Sequence, residues 1–293
     1  MQFVKEGKME DVILGKTGRK VSRLGFGGAP AGIVNYLGKY DPKVTKEHEG
    51  TVEAIKRAIS LGVTYFDTAY AYGDGDSERI FGEALYGVAP ESIFLATKMT
   101  PTKGKNVRAY FERSLKNLKR DKIDLLQIHS PGSNMEEELF KKGGMLEEMV
   151  KLQEEGLVKH LGFTMEDQGP LLYKLLELDV FSVVQLAYNV IFQHPYDPYF
   201  KTGSMYVAEE RGLGITTMRS MTSGILQRFI QRANPENTFD YSPSILQFQL
   251  GNKLVDVALV GMRTTDEVER NVDIVEDIKN RIDPDDIHLH IVK

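Results

Sequence analysis

Asp67, Lys98 and His129 follow one another at intervals of 31 residues, each at the end of a short apolar run. The runs are Phe66-Asp67, Phe94-Leu95-Ala96-Thr97-Lys98 and Leu125-Leu126-Gln127-Ile128-His129, and Tyr72 stands five residues beyond Asp67. A carboxylate, a phenol, an ammonium and an imidazole brought to one point make a proton-donating site. A phenol with an ordinary pKa of about 10 is a poor acid near neutrality. A neighbouring ammonium lowers that pKa, a buried carboxylate compensates the ammonium, and an imidazole polarises an oxygen that is gaining charge. Such a group set suits delivery of a proton to an alkoxide.

The 31-residue interval is about one strand, one loop and one helix, the repeat of a β/α barrel, in which neighbouring strands end at a common mouth. Strand and helix patterns alternate through the chain accordingly. Residues 21–26 pair with 49–61, 64–68 with 77–85, 93–97 with 107–118, and 123–128 with 145–155. The series continues with 159–164 and 171–176, 183–187 and 203–211, 214–218 and 242–251, then 255–260 and 267–278. The strand runs are rich in Val, Ile, Leu and Phe, as parallel strands covered on both faces require. Two short apolar runs around a Gly- and Lys-rich turn at 12–21 read as a hairpin. The expected fold is therefore α/β, a (β/α)8 TIM barrel with an N-terminal β-hairpin, in one domain spanning 1–293. The unassigned stretches 28–45, 130–142 and 222–241 all follow strands and become loops around the mouth. Within the last, polar residues 232–240 read equally as a flap or as a disordered insertion.

Composition sets outer limits. The 293 residues suit a barrel of about 250 residues, and 41% hydrophobic with 27% charged residues is ordinary for a globular chain. A net charge of −5 without a concentrated basic face disfavours nucleic acid as a partner. The absence of Cys rules out disulfides, thiolate catalysis and Cys-ligated metal, and fits a cytoplasmic setting. Residues 1–11 are charged and lack an apolar signal core, and no apolar run approaches the roughly 20 residues that span a bilayer. No membrane and no metal are expected, and a monomer is the default.

Asp67, Tyr72, Lys98 and His129 with their spacing resemble the tetrad of the aldo-keto reductases, and the likeness runs along nearly the whole chain. It implies an NAD(P)H-dependent oxidoreductase that interconverts aldehydes or ketones and alcohols. Tyr72 is then the proton donor, Lys98 the ammonium that tunes it, Asp67 the compensating carboxylate and His129 the group that polarises the carbonyl. Tyr70 is the rival phenol; the five-residue offset and the following Gly73 favour Tyr72. Leu24-Gly25-Phe26-Gly27-Gly28 resembles the family's first strand end, where Gly27 lets the backbone approach the cofactor. Gly162-Phe163-Thr164 and Val184-Gln185-Leu186-Ala187-Tyr188-Asn189 resemble the fifth and sixth strands, which implies that Thr164 and Gln185 hold the nicotinamide carboxamide. Met165 stands where the family commonly has Asn.

The segment 212–224 resembles the seventh strand and its diphosphate loop, with Met218 against the nicotinamide and Arg219, Ser220, Thr222 and Gly224 near the phosphates. The segment 260–271 resembles the adenosine end of the site, implying roles for Gly261, Arg263, Glu267 and Asn271. A guanidinium at Arg263 matches a 2′-phosphate, which favours NADPH, while Glu267 keeps NADH open. Arg263 and Glu267 as an i,i+4 surface pair is the alternative. Tyr36, Tyr40, Phe192, His194 and Tyr196 are candidate pocket liners for a small-molecule carbonyl or alcohol substrate. The opening Leu24-Gly25-Phe26-Gly27-Gly28-Ala29-Pro30 is similar to the sugar and pyridoxal dehydrogenase branch, where oxidation is the working direction. A barrel enzyme using Lys98 to form an imine, and a non-catalytic cofactor-sensing regulatory subunit, remain as readings from other classes.

Overall fold

The computed structural model describes residues 9–281, 283 and 284, so residues 1–8 of the charged N-terminal stretch lie outside it. The chain opens with a hairpin in which β1 (Asp11–Ile13) pairs antiparallel with β2 (Lys20–Ser22). Eight parallel strands follow: β3 (Leu24–Gly27), β4 (Tyr65–Asp67), β5 (Phe94–Met99), β6 (Ile123–His129), β7 (Val158–Met165), β8 (Phe181–Ala187), β9 (Gly214–Met218) and β10 (Val257–Gly261). They close into a barrel in sequence order, with β10 beside β3. The helices are α1 (Ala29–Gly32), α2 (Thr45–Ser60), α3 (Asp76–Ala84), α4 (Val107–Leu118), α5 (Glu136–Phe140) and α6 (Met145–Glu154). After them come α7 (Pro170–Leu176), α8 (Ser204–Glu210), α9 (Ile225–Ala233), α10 (Ser242–Gly251) and α11 (Thr265–Glu276). No described helix is long and apolar enough to cross a membrane.

Side chains alternate across each strand, and this divides the core in two. Tyr65, Phe94, Ala96, Leu125, Val183 and Val257 form a buried cluster inside the barrel. Phe66, Leu95, Leu126, Ile128, Phe163 and Val184 belong to the larger core between the strands and the helices. Leu14 and Val21 of the hairpin join the inner cluster. Leu14 packs so closely on Gly214, the first residue of β9, that a Cβ there would lie 2.6 Å from its Cδ1. The Lys16 amide donates to the Gly212 carbonyl at 2.6 Å. The hairpin therefore plugs the end where the strands begin and leaves the end where they finish as the mouth.

Several boundaries differ from the sequence expectation, among them the start of α2, at Thr45 rather than 49, and the short α1 and α5 inside the stretches 28–45 and 130–142. The run 21–26 is not one strand: Val21 belongs to the hairpin, and β3 begins at Leu24. Arg23 is the pivot, its amide donating to Glu10 and its carbonyl accepting from Ala258, both at 2.9 Å. The stretch 222–241 is not a featureless loop either, because α9 occupies Ile225–Ala233. Ile225, Leu226, Phe229 and Ile230 recur at helical spacing there, a pattern that the polar composition of 232–240 obscures.

Candidate active site

The parallel register sets Asp67 opposite Ala96, Lys98 opposite Gln127 and His129 opposite Thr164. Asp67 lies two residues beyond Tyr65, Lys98 two beyond Ala96, and His129 four beyond Leu125. Each therefore shares the inward side of its strand, and the three converge above the inner cluster. The buried Lys98 ammonium donates to Asp67 Oδ1, to the Thr68 carbonyl at 2.9 Å and to the Tyr72 hydroxyl at 3.3 Å. Gln127 Nε2 donates to the other Asp67 oxygen at 3.0 Å. The His129 ring meets the Tyr72 ring edge to face, with centres 5.5 Å apart.

Tyr72 reaches this cluster through a compact turn. Its amide donates to the Ala69 carbonyl at 3.2 Å, and that of Gly75 to the Tyr70 carbonyl at 2.7 Å. Gly73 has φ +68°, and a Cβ there would lie 2.1 Å from the Gly32 carbonyl oxygen, so the end of α1 can press on the turn only over a glycine. Tyr70 goes elsewhere: the Arg113 guanidinium covers its ring at 3.3 Å.

The electrostatics follow from burial. Burial works against the Lys98 ammonium, but Asp67 and Tyr72 outweigh it and hold its pKa above the ordinary lysine value. Burial pushes the Asp67 carboxyl up, with Lys98 and Gln127 pulling it back. Burial also raises the Tyr72 phenol, and Lys98 only opposes that rise. The ammonium thus moderates the phenol without bringing it below its ordinary value. Burial, and then the Lys98 charge, lower the His129 imidazole from 6.5 to about 3. A lowered folded pKa keeps the ring neutral, able to donate one N–H, while the unfolded chain takes up a proton below 6.5. Ring resonances of His129 in a pH series from 8 to 5 should stay fixed; a transition near 6.5 would show an imidazolium instead.

A cleft of about 200 Å³ crosses the mouth and contains Asp67, Tyr72 and His129. Gly27, Gln185 and Gly261 line it, as do Met218 at the end of β9 and Arg219, Ser220 and Gly224 after it. Among the described residues Gln185 Oε1 is buried there without a hydrogen-bond partner, an acceptor suited to an amide N–H. Arg219 is the sole cation among the described lining residues, suited to a phosphate. These features fit a dinucleotide lying along the cleft.

Other residues expected at the dinucleotide are not among the cleft's lining. The buried Thr164 hydroxyl accepts from the Ser130 amide at 3.0 Å. That of Thr222 accepts from the Leu226 amide at 3.3 Å at the start of α9. Glu267 closes a capping box with Thr264 at the start of α11, accepting from the Arg263 amide at 2.6 Å and the Thr264 amide at 3.3 Å. The alternative, an Arg263–Glu267 surface pair, is not formed among the described residues: the carboxylate meets the backbone, and the guanidinium lies 4.8 Å from the Tyr40 ring centre. Thr264 followed three residues later by Glu267 was the available signal. Asn271 Nδ2 donates to the Glu267 carbonyl at 2.8 Å within the same helix.

Among the candidate pocket liners only Tyr36 lines the cleft. Tyr40 is buried, its hydroxyl 3.0 Å from both the Ala31 carbonyl and Thr51 Oγ1. Phe192 and His194 meet each other, and Tyr196 packs on Tyr188 and Tyr206. Ile33, Leu37 and Glu166 line the cleft without having been foreseen. Glu166 had a signal, a charged residue directly after the run that ends β7.

A family model described as "Aldo/keto reductase family" matches residues 23–258. The L-galactose dehydrogenase of Arabidopsis thaliana is 26% identical over 93% of this chain and 90% of its own length. A probable aldo-keto reductase of Glycine max is 33% identical over 54% of this chain and 46% of its own. The fold matches a holo-form aldo-keto reductase of Bacillus halodurans, with TM-score 0.73 and 21% identity over 92% of this chain and 91% of that one. It also matches one of Klebsiella pneumoniae in complex with NADP and acetate, with TM-score 0.71 and 20% identity over 92% and 90%.

Proposed function

The chain belongs to the aldo/keto reductase family and is an oxidoreductase of that family; we propose that Tyr72 is its proton donor and NADPH its preferred cofactor. The observation that carries this reading is the single buried ammonium of Lys98 bonded to both Asp67 and the Tyr72 hydroxyl, beneath a cleft that Asp67, Tyr72 and His129 line. When bound, the nicotinamide would exchange a hydride with the substrate carbon, and the protein's part is the proton. A neutral His129 N–H polarises the carbonyl oxygen, and Tyr72 delivers the proton as that oxygen gains charge. Lys98 stabilises the phenolate left behind, and Asp67 keeps Lys98 charged. An amine held protonated in this way is a poor nucleophile, which counts against imine formation at Lys98. Borohydride trapping with a carbonyl substrate should accordingly leave Lys98 unmodified.

Gln185 Oε1 suits the nicotinamide carboxamide, and Arg219 with Ser220 the diphosphate. Arg263 favours NADPH because its Nη1 is buried without a hydrogen-bond partner among the described residues and the nearby Glu267 carboxylate is engaged by backbone amides. Titration with each dinucleotide, followed by fluorescence, tests this. A charge-assisted hydrogen bond is worth roughly 1.5 to 3 kcal/mol. Arg263→Ala should thus weaken NADPH binding about tenfold to a hundredfold and leave NADH almost unchanged. Equal weakening of both, or of neither, would transfer the preference to NADH. A second reading, oxidation of a hydroxyl or lactol as the working direction, is favoured by the likeness to L-galactose dehydrogenase along nearly the full length of both chains. Initial rates measured in both directions decide between the two.

A further inference from the structure

We propose that Glu166 competes with the dinucleotide diphosphate for Arg219 and thereby sets cofactor affinity, an inference that rests on the dinucleotide-dependent function above. Both Glu166 oxygens lie on one guanidinium nitrogen, Oε1 at 2.9 Å and Oε2 at 2.8 Å from Nη2. The pair joins the residue after β7 to the residue after β9. It thus bridges across the end of β8, whose Gln185 side chain lies in the same cleft. Any anion entering there meets a cleft in which the one cation among the described lining residues already holds a carboxylate.

The two side chains are free to exchange partners while their backbones stay put. Among the described residues neither side chain has another hydrogen bond, and they are 51% and 32% exposed, so the pair is solvated and weak. Their main chains are tied down. His194 Nε2 donates to the Glu166 carbonyl at 3.2 Å, and the Arg219 carbonyl accepts from Asn189 Nδ2 at 2.9 Å and from the Thr222 amide at 2.7 Å. Arg219 itself has φ +58°, a left-handed conformation uncommon for a non-glycine residue. A rotation of side chains alone therefore releases the guanidinium. A diphosphate carries more charge and more acceptor oxygens than one carboxylate, so it wins the exchange, at a loss of affinity equal to the contact it displaces. Glu166 also raises the Arg219 pKa, which keeps the guanidinium charged for either anion.

The test titrates wild type, Glu166→Gln, Arg219→Met and the double variant with NADPH and with NADH, followed by fluorescence. NADPH and NADH share the diphosphate, so Glu166→Gln should tighten both alike, by about twofold to fivefold, the worth of a solvated ion pair. Arg219→Met should weaken both, and in that background Glu166→Gln should have no further effect. Unchanged affinity in Glu166→Gln overturns the inference alone. So does equal tightening in the Arg219→Met background, since Glu166 would then repel the diphosphate directly. Failure of the wild-type protein to bind either dinucleotide overturns this inference and the proposed function together.

Discussion

Tyr72→Phe should lower carbonyl reduction by about 10² to 10⁴-fold, the usual contribution of a positioned general acid, while dinucleotide affinity stays close to wild type. The split is expected because the hydroxyl is needed where the substrate oxygen gains charge, whereas the ring stays to fill its place against His129. Loss confined to transition-state stabilisation appears in kcat and in kcat/KM alike. The rival phenol supplies the control. Tyr70 lies under the Arg113 guanidinium and is not among the cleft's lining residues, so Tyr70→Phe should leave turnover nearly intact. A Tyr72→Phe protein that turns over at the wild-type rate would remove Tyr72 from the mechanism.

Lys98→Met should have the second large effect, on turnover and on stability together. Without the ammonium, burial raises the Tyr72 phenol unopposed, and the phenolate formed on proton transfer loses its charged neighbour. Loss of turnover should therefore approach that of Tyr72→Phe. Asp67, almost fully buried, would also be left without its counter-charge. Breaking one partner of a buried pair typically costs roughly 3 to 5 kcal/mol, because the remaining charge must be carried alone or neutralised by a proton. Thermal unfolding should show that loss, and it should shrink as the pH falls and Asp67 takes up its proton. Adding Asp67→Asn to Lys98→Met removes the orphaned charge, so the double variant should regain stability without regaining turnover. Asp67→Asn alone should keep a weaker, pH-shifted activity. Recovery of turnover in the double variant would reduce Lys98 and Asp67 to a structural ion pair and sink their assignment to proton transfer.

Much of the barrel was legible in the sequence because its regularities are local. A parallel strand covered on both faces reads as a continuous apolar run, and a strand-helix repeat of near-constant length shows as equal spacing. Equal spacing put Asp67, Lys98 and His129 at matching strand ends. The two-residue alternation then made them face the same side as Tyr65, Phe94 and Leu125. The first strand differs from its expected span because Val21 and Leu24–Gly27 lie close enough, across Ser22 and Arg23, to read as one strand. Only the long-range bonds at Arg23, to Glu10 and Ala258, separate hairpin from barrel.

The details of the mouth were decided by tertiary structure, since they depend on loop paths that no short-range pattern encodes. The fit of Gly73 against Gly32 aims Tyr72 inward, and the stack on Arg113 holds Tyr70 away. Glu166 and Arg219 are 53 residues apart in sequence, and they meet only because the barrel brings the ends of β7 and β9 to either side of β8. Glu267 shows the reverse case, a capping signal written within four residues whose meaning was masked by a family likeness. By itself, then, the sequence determined the barrel strands after the first, their order and the inward side of the three strand-end residues, because period and spacing are properties of the chain. How Tyr72, which the five-residue offset already favoured, is aimed at them, and which charges face one another across the cleft, was left to the closed barrel, because those contacts exist only once distant loops are packed together.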